Sequence, residues 1–221
     1  MKFKAVIFDL DGTLVDTLQD LADSVNEALQ QLNLPQHSYE EIQKKIGYGI
    51  TELMISCLPT KQQKNTKILG QALELTAEAY SRRWMLHSCL YPGIVHLLDQ
   101  LMLKKIPMAI LSNKPERFTQ EMCSLLLKKW DFVYISGGRD GFPLKPNPLT
   151  AQNIICYFNQ IDQNIGTDIV FVGDGDTDIQ TAIAAGITPV AVLWGFRSQE
   201  QLKKAGASYF ISSPAELLDF F

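Results

Sequence analysis

Phe3-Lys4-Ala5-Val6-Ile7-Phe8-Asp9-Leu10-Asp11-Gly12-Thr13-Leu14 is the stretch that decides the fold. Ala5 to Phe8 are apolar without interruption, with the length and branching of a strand buried on both faces, and the run stops at a carboxylate. Asp9 therefore falls at the carboxyl end of a strand, which is where open parallel α/β sheets bind ligands. In extended backbone Asp9 and Asp11 point the same way, and Gly12 permits a sharp turn and close approach of a ligand to the main chain. Two like charges held that close call for a cation. Mg2+ suits hard oxygen ligands and keeps several waters where the protein supplies few carboxylates. The competing reading is a strand followed by a polar turn, since Asp-Gly is a common turn dipeptide.

The rest of the chain decides between them. Its 221 residues suffice for a core domain and a smaller insertion, and 46% hydrophobic residues is the composition of a packed globular protein. A net charge of -4, with Lys and Arg scattered and never clustered beyond a doublet, argues against a nucleic-acid partner. Cys57, Cys89, Cys123 and Cys156 are widely spaced, which suggests reduced, packed thiols rather than a zinc site or a disulfide framework. The apolar run after Lys4 is too short for a signal peptide and ends in acids. No run approaches the ~18 apolar residues of a membrane helix. The expectation is a soluble cytoplasmic protein without a membrane partner.

From residue 16 to about residue 90 the pattern is helical. Leu18, Leu21, Val25, Ala28, Leu29 and Leu32 draw one apolar stripe, ended by Asn33 and Pro35. A short helix over Tyr39 to Ile46 is broken by Gly47-Tyr48-Gly49, another runs from Ile50 to Pro59, and a long one carries Ile68, Leu69, Ala72, Leu75, Ala79 and Trp84. An all-helical stretch between one strand and the next α/β unit reads as a separate module. After Tyr91-Pro92-Gly93 strands alternate with helices: strands over residues 107–111, 132–135, 168–172, 188–192 and 208–211, with helices over 94–104, 115–128, 149–159, 176–185, 198–205 and from Pro214. That alternation implies right-handed crossovers and a parallel sheet covered on both faces. The expected architecture is a Rossmann-like parallel-sheet core, residues 1–15 and 91–221, with an inserted helical cap, residues 16–90.

Polar residues gather where the strands end. Ser112-Asn113-Lys114-Pro115 offers a hydroxyl, amide donors and a proline at the first helical position, a corner suited to phosphate, or else an ordinary helix cap. Lys145 sits in the proline-rich Pro143-Leu144-Lys145-Pro146-Asn147-Pro148, which forbids regular hydrogen bonding and could fix its ammonium as a point charge; an isolated lysine is otherwise a solvated surface residue. After Ile169 to Val172 comes Gly173-Asp174-Gly175-Asp176-Thr177-Asp178, where Asp174 and Asp178 could reach one cation and Asp176 could cap a helix or join them. Calcium would demand more protein ligands than this offers.

Asp9-x-Asp11-Gly12-Thr13, Ser112, Lys145-Pro146-x-Pro148 and the Asp174 to Asp178 loop resemble, in order, the four motifs of the haloacid dehalogenase superfamily of phosphotransferases. The likeness covers nearly the whole chain and is greatest to the phosphoglycolate-phosphatase-like branch with a helical cap. It implies a Mg2+-dependent phosphatase in which Asp9 attacks phosphorus and Asp11 works as general acid and base. Ser112, Asn113 and Lys145 would bind the phosphoryl oxygens. Asp9, Asp174, Asp178 and the main-chain carbonyl of Asp11 would hold the metal. The cap would close as a lid, with Gly47-Tyr48-Gly49 as the candidate substrate loop, weighed against a plain turn. Gly175 departs from the family pattern, where many relatives carry a hydroxyl. The expected partner is a small phosphorylated metabolite, and the expected state a monomer or homodimer. A sugar-phosphate mutase and a catalytically silent phosphate-binding module remain as alternatives.

Overall fold

The computed structural model describes residues 2–221. The chain divides into two compact units, Met1–Val15 with Leu90–Phe221, and Asp16–Cys89. It passes from one to the other through two short strands, β2 (Val15–Asp16) and β3 (Cys89–Leu90).

The first unit is built on β1 (Ala5–Phe8), β4 (Met108–Pro115), β5 (Phe132–Gly138), β6 (Ile169–Gly173), β7 (Thr188–Val192) and β8 (Tyr209–Ile211). These form one parallel sheet in the order β5-β4-β1-β6-β7-β8. The connecting helices are α5 (Ile94–Leu103), α6 (Glu116–Leu126), α7 (Leu149–Ile161), α8 (Asp176–Ala185) and α9 (Gln199–Lys204). The first strand in sequence is thus central in space, with Ile7 in register with Ala109 on one side and Phe171 on the other. All four residues of β1 are fully buried, which explains their unbroken apolar run. Ile7, Leu111 and Phe171 pack with Ile154 and Phe158 of α7 and Ala182 of α8. Because the strands are parallel, β1, β4 and β6 all end on the same rim, and their polar residues are delivered there together.

Several boundaries differ from the sequence reading: α6 starts late, β5 runs on to Gly138 rather than ending at residue 135, and the helix expected over Tyr39 to Ile46 stops at Gln43. β4 runs on through Ser112, Asn113 and Lys114 to Pro115, and α6 begins only at Glu116, with Pro115 outside the helix at φ -50°, ψ 136°. Ser112-Asn113 is therefore extended strand and not the cap of α6. The proline that suggested a helix start is accommodated where the β4–β5 register slips, between Leu111 and Pro115. The final segment, Pro214–Phe220, is a 3-10 helix.

The second unit is helical: α1 (Leu18–Gln31), α2 (Tyr39–Gln43), α3 (Ile50–Cys57) and α4 (Thr66–Arg83). Leu21, Val25, Ala28 and Leu29 form the buried stripe of α1, and Asn33 ends it in left-handed backbone at φ 55°. Ser38 and Glu41 close a capping box at the start of α2. Asp20, fully buried, accepts from the Ser88 N–H and hydroxyl at 2.8 Å each and so ties the end of the unit to its first helix. Arg82 and Arg83 both pair with Glu27.

Candidate active site

Asp9 leaves β1 with its N–H on the Val172 carbonyl of β6 at 2.9 Å, which fixes it between the ends of two strands. The Lys145 ammonium donates to Asp9 Oδ1 and Asp178 Oδ1, both at 2.7 Å, and to the Leu111 carbonyl at 2.9 Å. Asp9, Asp174 and Asp178 each present an oxygen within 4.8 Å of the others, and all three are buried.

Lys145 reaches this centre because its loop is pinned from β4. Its N–H donates to Asn113 Oδ1 at 2.8 Å, and Asn113 Nδ2 donates back to its carbonyl at 2.9 Å. The Asn113 side-chain amide, expected on a phosphate, is committed here instead. A proline-rich segment cannot pair its main chain in a ladder, so a side chain meets that need. Ser112 is buried on the same rim, its Oγ accepting from the Lys114 N–H at 3.2 Å.

Asp174 lies under two segments, the turn after β1 and the loop at residues 195–196. Phe196 N–H donates to its Oδ2 at 2.7 Å and the Thr13 hydroxyl to its Oδ1 at 3.3 Å. A Cβ on Gly195 would stand 2.2 Å from the Asp174 Cβ, and one on Gly12, at φ +83°, 2.4 Å from Asp174 Oδ2. Both glycines are required by that close approach. Asp178, in the first turn of α8, accepts from the Gly175 N–H through Oδ2 at 2.9 Å and from Lys145 through Oδ1, so it caps the helix and lines the site at once. Asp176 stands apart from the trio, facing Arg197 at 3.7 Å.

Burial pushes the Asp9 carboxyl well above its usual range, and the neighbouring Asp178 carboxylate adds to this, outweighing Lys145. The same two causes raise Asp174 to about 7. For Lys145 burial acts downward, but the Asp178 and Asp9 carboxylates together hold the ammonium above its ordinary value. Three buried carboxylates against one buried ammonium leave negative charge in excess, on an all-oxygen donor set. That arrangement fits one hard divalent cation.

Sequence reasoning missed Lys114. Its side chain is buried, and the ammonium meets both carboxylate oxygens of Asp11 at 3.1 and 3.2 Å. Reading Pro115 as a helix start concealed that Ser112 and Lys114 share one face of a continuing strand. Gly47, Tyr48 and Gly49 lie in the helical unit between α2 and α3; both glycines have positive φ, and Tyr48 is 41% exposed.

Residues 6–192 match the family described as haloacid dehalogenase-like hydrolase. The phosphoglycolate phosphatase of Haemophilus influenzae is 30% identical over 222 residues, covering 98% of this chain and 97% of its own. That of Chromobacterium violaceum is 30% identical over 218 residues, covering 98% of this chain and 95% of its own. Among solved structures, one described as a predicted phosphoglycolate phosphatase from Haemophilus somnus superposes with a TM-score of 0.85 at 27% identity, over 99% of this chain and 98% of that one. With the acids of two strand ends gathered around one buried lysine and these likenesses spanning the chain, the protein belongs to the haloacid dehalogenase-like hydrolases, in their phosphoglycolate-phosphatase-like branch.

Proposed function

We propose that this chain is a Mg2+-dependent phosphatase of small phosphate monoesters and that Asp9 is its nucleophile. The observation that carries the reading is the Lys145 ammonium bridging Asp9 and Asp178 at 2.7 Å each, beside Asp174. Asp9 would attack phosphorus in line, giving an aspartyl-phosphate that water then hydrolyses; covalent catalysis divides one hard displacement into two easier ones. Asp11 gives a proton to the leaving oxygen in the first step and takes one from water in the second. Lys145 and the Ser112 hydroxyl offset charge on the equatorial oxygens, while Asn113 acts one step back by holding Lys145. Asp9, Asp174, Asp178 and the main-chain carbonyl of Asp11 are the groups that would hold Mg2+. When bound, that ion supplies positive charge that screens the carboxylate from the phosphate.

The relatives named above as phosphoglycolate phosphatases favour a small phosphorylated hydroxy acid as substrate. In this reading residues 16–90 form a cap domain and Gly47-Tyr48-Gly49 selects the leaving group. Asp9→Asn, isosteric and uncharged, should lower turnover of p-nitrophenyl phosphate with Mg2+ by ~10³-fold or more while leaving the circular dichroism spectrum unchanged. Substantial activity in a clean preparation of that variant would refute the assignment. A panel of small phosphate esters then ranks substrates.

A further inference from the structure

We propose that Lys114 is a positioning residue for Asp11, so that leaving-group chemistry has a lysine of its own, separate from the one that serves the nucleophile. The proposal rests on the phosphatase reading of the site and deepens it.

The two buried lysines are dealt to different carboxylates. Lys145 comes from the loop after β5 and bonds Asp9 and Asp178. Lys114 comes from the carboxyl end of β4, the strand next to β1, and meets both oxygens of Asp11. A buried ammonium is costly unless paired, and the side chain of Lys114 is only 3% exposed against 12% for Asp11. Its main chain is fixed as well, with the N–H on Ser112 Oγ at 3.2 Å and the carbonyl accepting from the Thr119 hydroxyl at 3.1 Å. The ammonium therefore stands on a rigid base and gripping both oxygens restricts rotation of the Asp11 carboxyl group about its side-chain bonds.

That restriction matters for one of the two bonds that change in the first step. As the Asp9 oxygen bonds to phosphorus, the bond from phosphorus to the leaving oxygen breaks; the Asp11 O–H breaks as the leaving oxygen takes its proton, and the carboxylate so formed is received by Lys114. An acid that transfers its proton efficiently must be held in line with the acceptor. The gain is large for an alkoxide leaving group and small for p-nitrophenolate, which departs without a proton.

Leaving-group dependence separates this role from a merely structural one. Lys114→Met should lower the single-turnover rate of phosphoenzyme formation from 2-phosphoglycolate by ~100-fold, the lower end of acid–base contributions, while that from p-nitrophenyl phosphate, which precedes the hydrolysis step the two esters share, falls by less than ~10-fold. Lys114→Arg should recover much of the lost selectivity. The paired change Asp11→Asn with Lys114→Met leaves neither charge unpaired, so it keeps the test valid if the single variant folds poorly. On 2-phosphoglycolate it should be no slower than Asp11→Asn alone. Equal losses on both esters, no loss on either, or additive losses in the paired variant would overturn the proposal. Inactivity of the unmodified protein with Mg2+ toward both esters would instead sink the phosphatase reading, and this one with it.

Discussion

Asp174, like Asp9, is held above the ordinary carboxylate range. Burial and the Asp178 carboxylate hold it near 7 in the folded chain against 3.8 when free. The native state thus keeps a proton that the unfolded state has lost, so without metal the cost of charging Asp174 grows as pH rises from about 4 through about 7 and stability falls over that window. A divalent cation must displace the same proton. Mg2+ affinity should therefore weaken as pH drops below about 7, by up to ~10-fold per pH unit for each proton displaced. Calorimetric titration in two buffers of different ionisation enthalpy should show more protons released per Mg2+ bound near pH 6 than near pH 8; release that did not change with pH would contradict this origin of the shift. Asp9, Asp11 and Asp174 were legible in sequence because each interrupts or follows an apolar run too uniform to be a surface strand. Lys145 was legible mainly through likeness to a motif, since nothing local says where an isolated lysine points. Lys114 was not legible at all: its partner lies in the turn that follows a neighbouring strand, and strand adjacency is a tertiary fact.

At the scale of elements, the site is made by strand ends and by the turn that follows each. The turn after β1, the end of β6 and residues 193–197 close on Asp174 with no room for a methyl group at Gly195. Gly195→Ala should push the Phe196 N–H off Asp174 Oδ2, cost ~1–3 kcal/mol as overpacking does, and weaken Mg2+ binding. Thermal unfolding together with a Mg2+ titration checks both; a variant with unchanged Tm and affinity would show that the loop yields freely. The departure of β4 from expectation has the same local origin. A proline after Ser-Asn-Lys reads as the first residue of a helix, yet a register slip let the strand carry three further polar residues to the rim. The parallel sheet itself was legible, because strand–helix alternation with fully apolar strands has few other solutions. The capping role of Asp178 was not, because a carboxylate in the first turn of α8 looks alike whether it caps, binds a cation or does both.

For the whole molecule, the buried sheet is what makes widely separated residues into one centre. Phe171 of β6 is fully buried between β1 and the α7 layer, and its ring lies 5.6 Å from the Lys145 ammonium. Phe171→Ala should lower stability by about 3–5 kcal/mol and reduce turnover beyond what partial unfolding explains. Denaturant unfolding with parallel rate measurements tests this, and a cost under about 1 kcal/mol would mean that the sheet repacks easily. No described helix is long and apolar enough to cross a membrane. In the proposed function this convergence makes Asp9 a covalent carrier of phosphate and Asp11 the group that completes the cycle. Rapid-quench mixing of Asp11→Asn with p-nitrophenyl phosphate and Mg2+ tests it most directly, because the first step needs no acid there and the second lacks its base. The expected result is a stoichiometric burst of p-nitrophenolate with phosphate retained on the peptide containing Asp9; steady release without that label, or the label on another residue, would rule out Asp9 as the carrier.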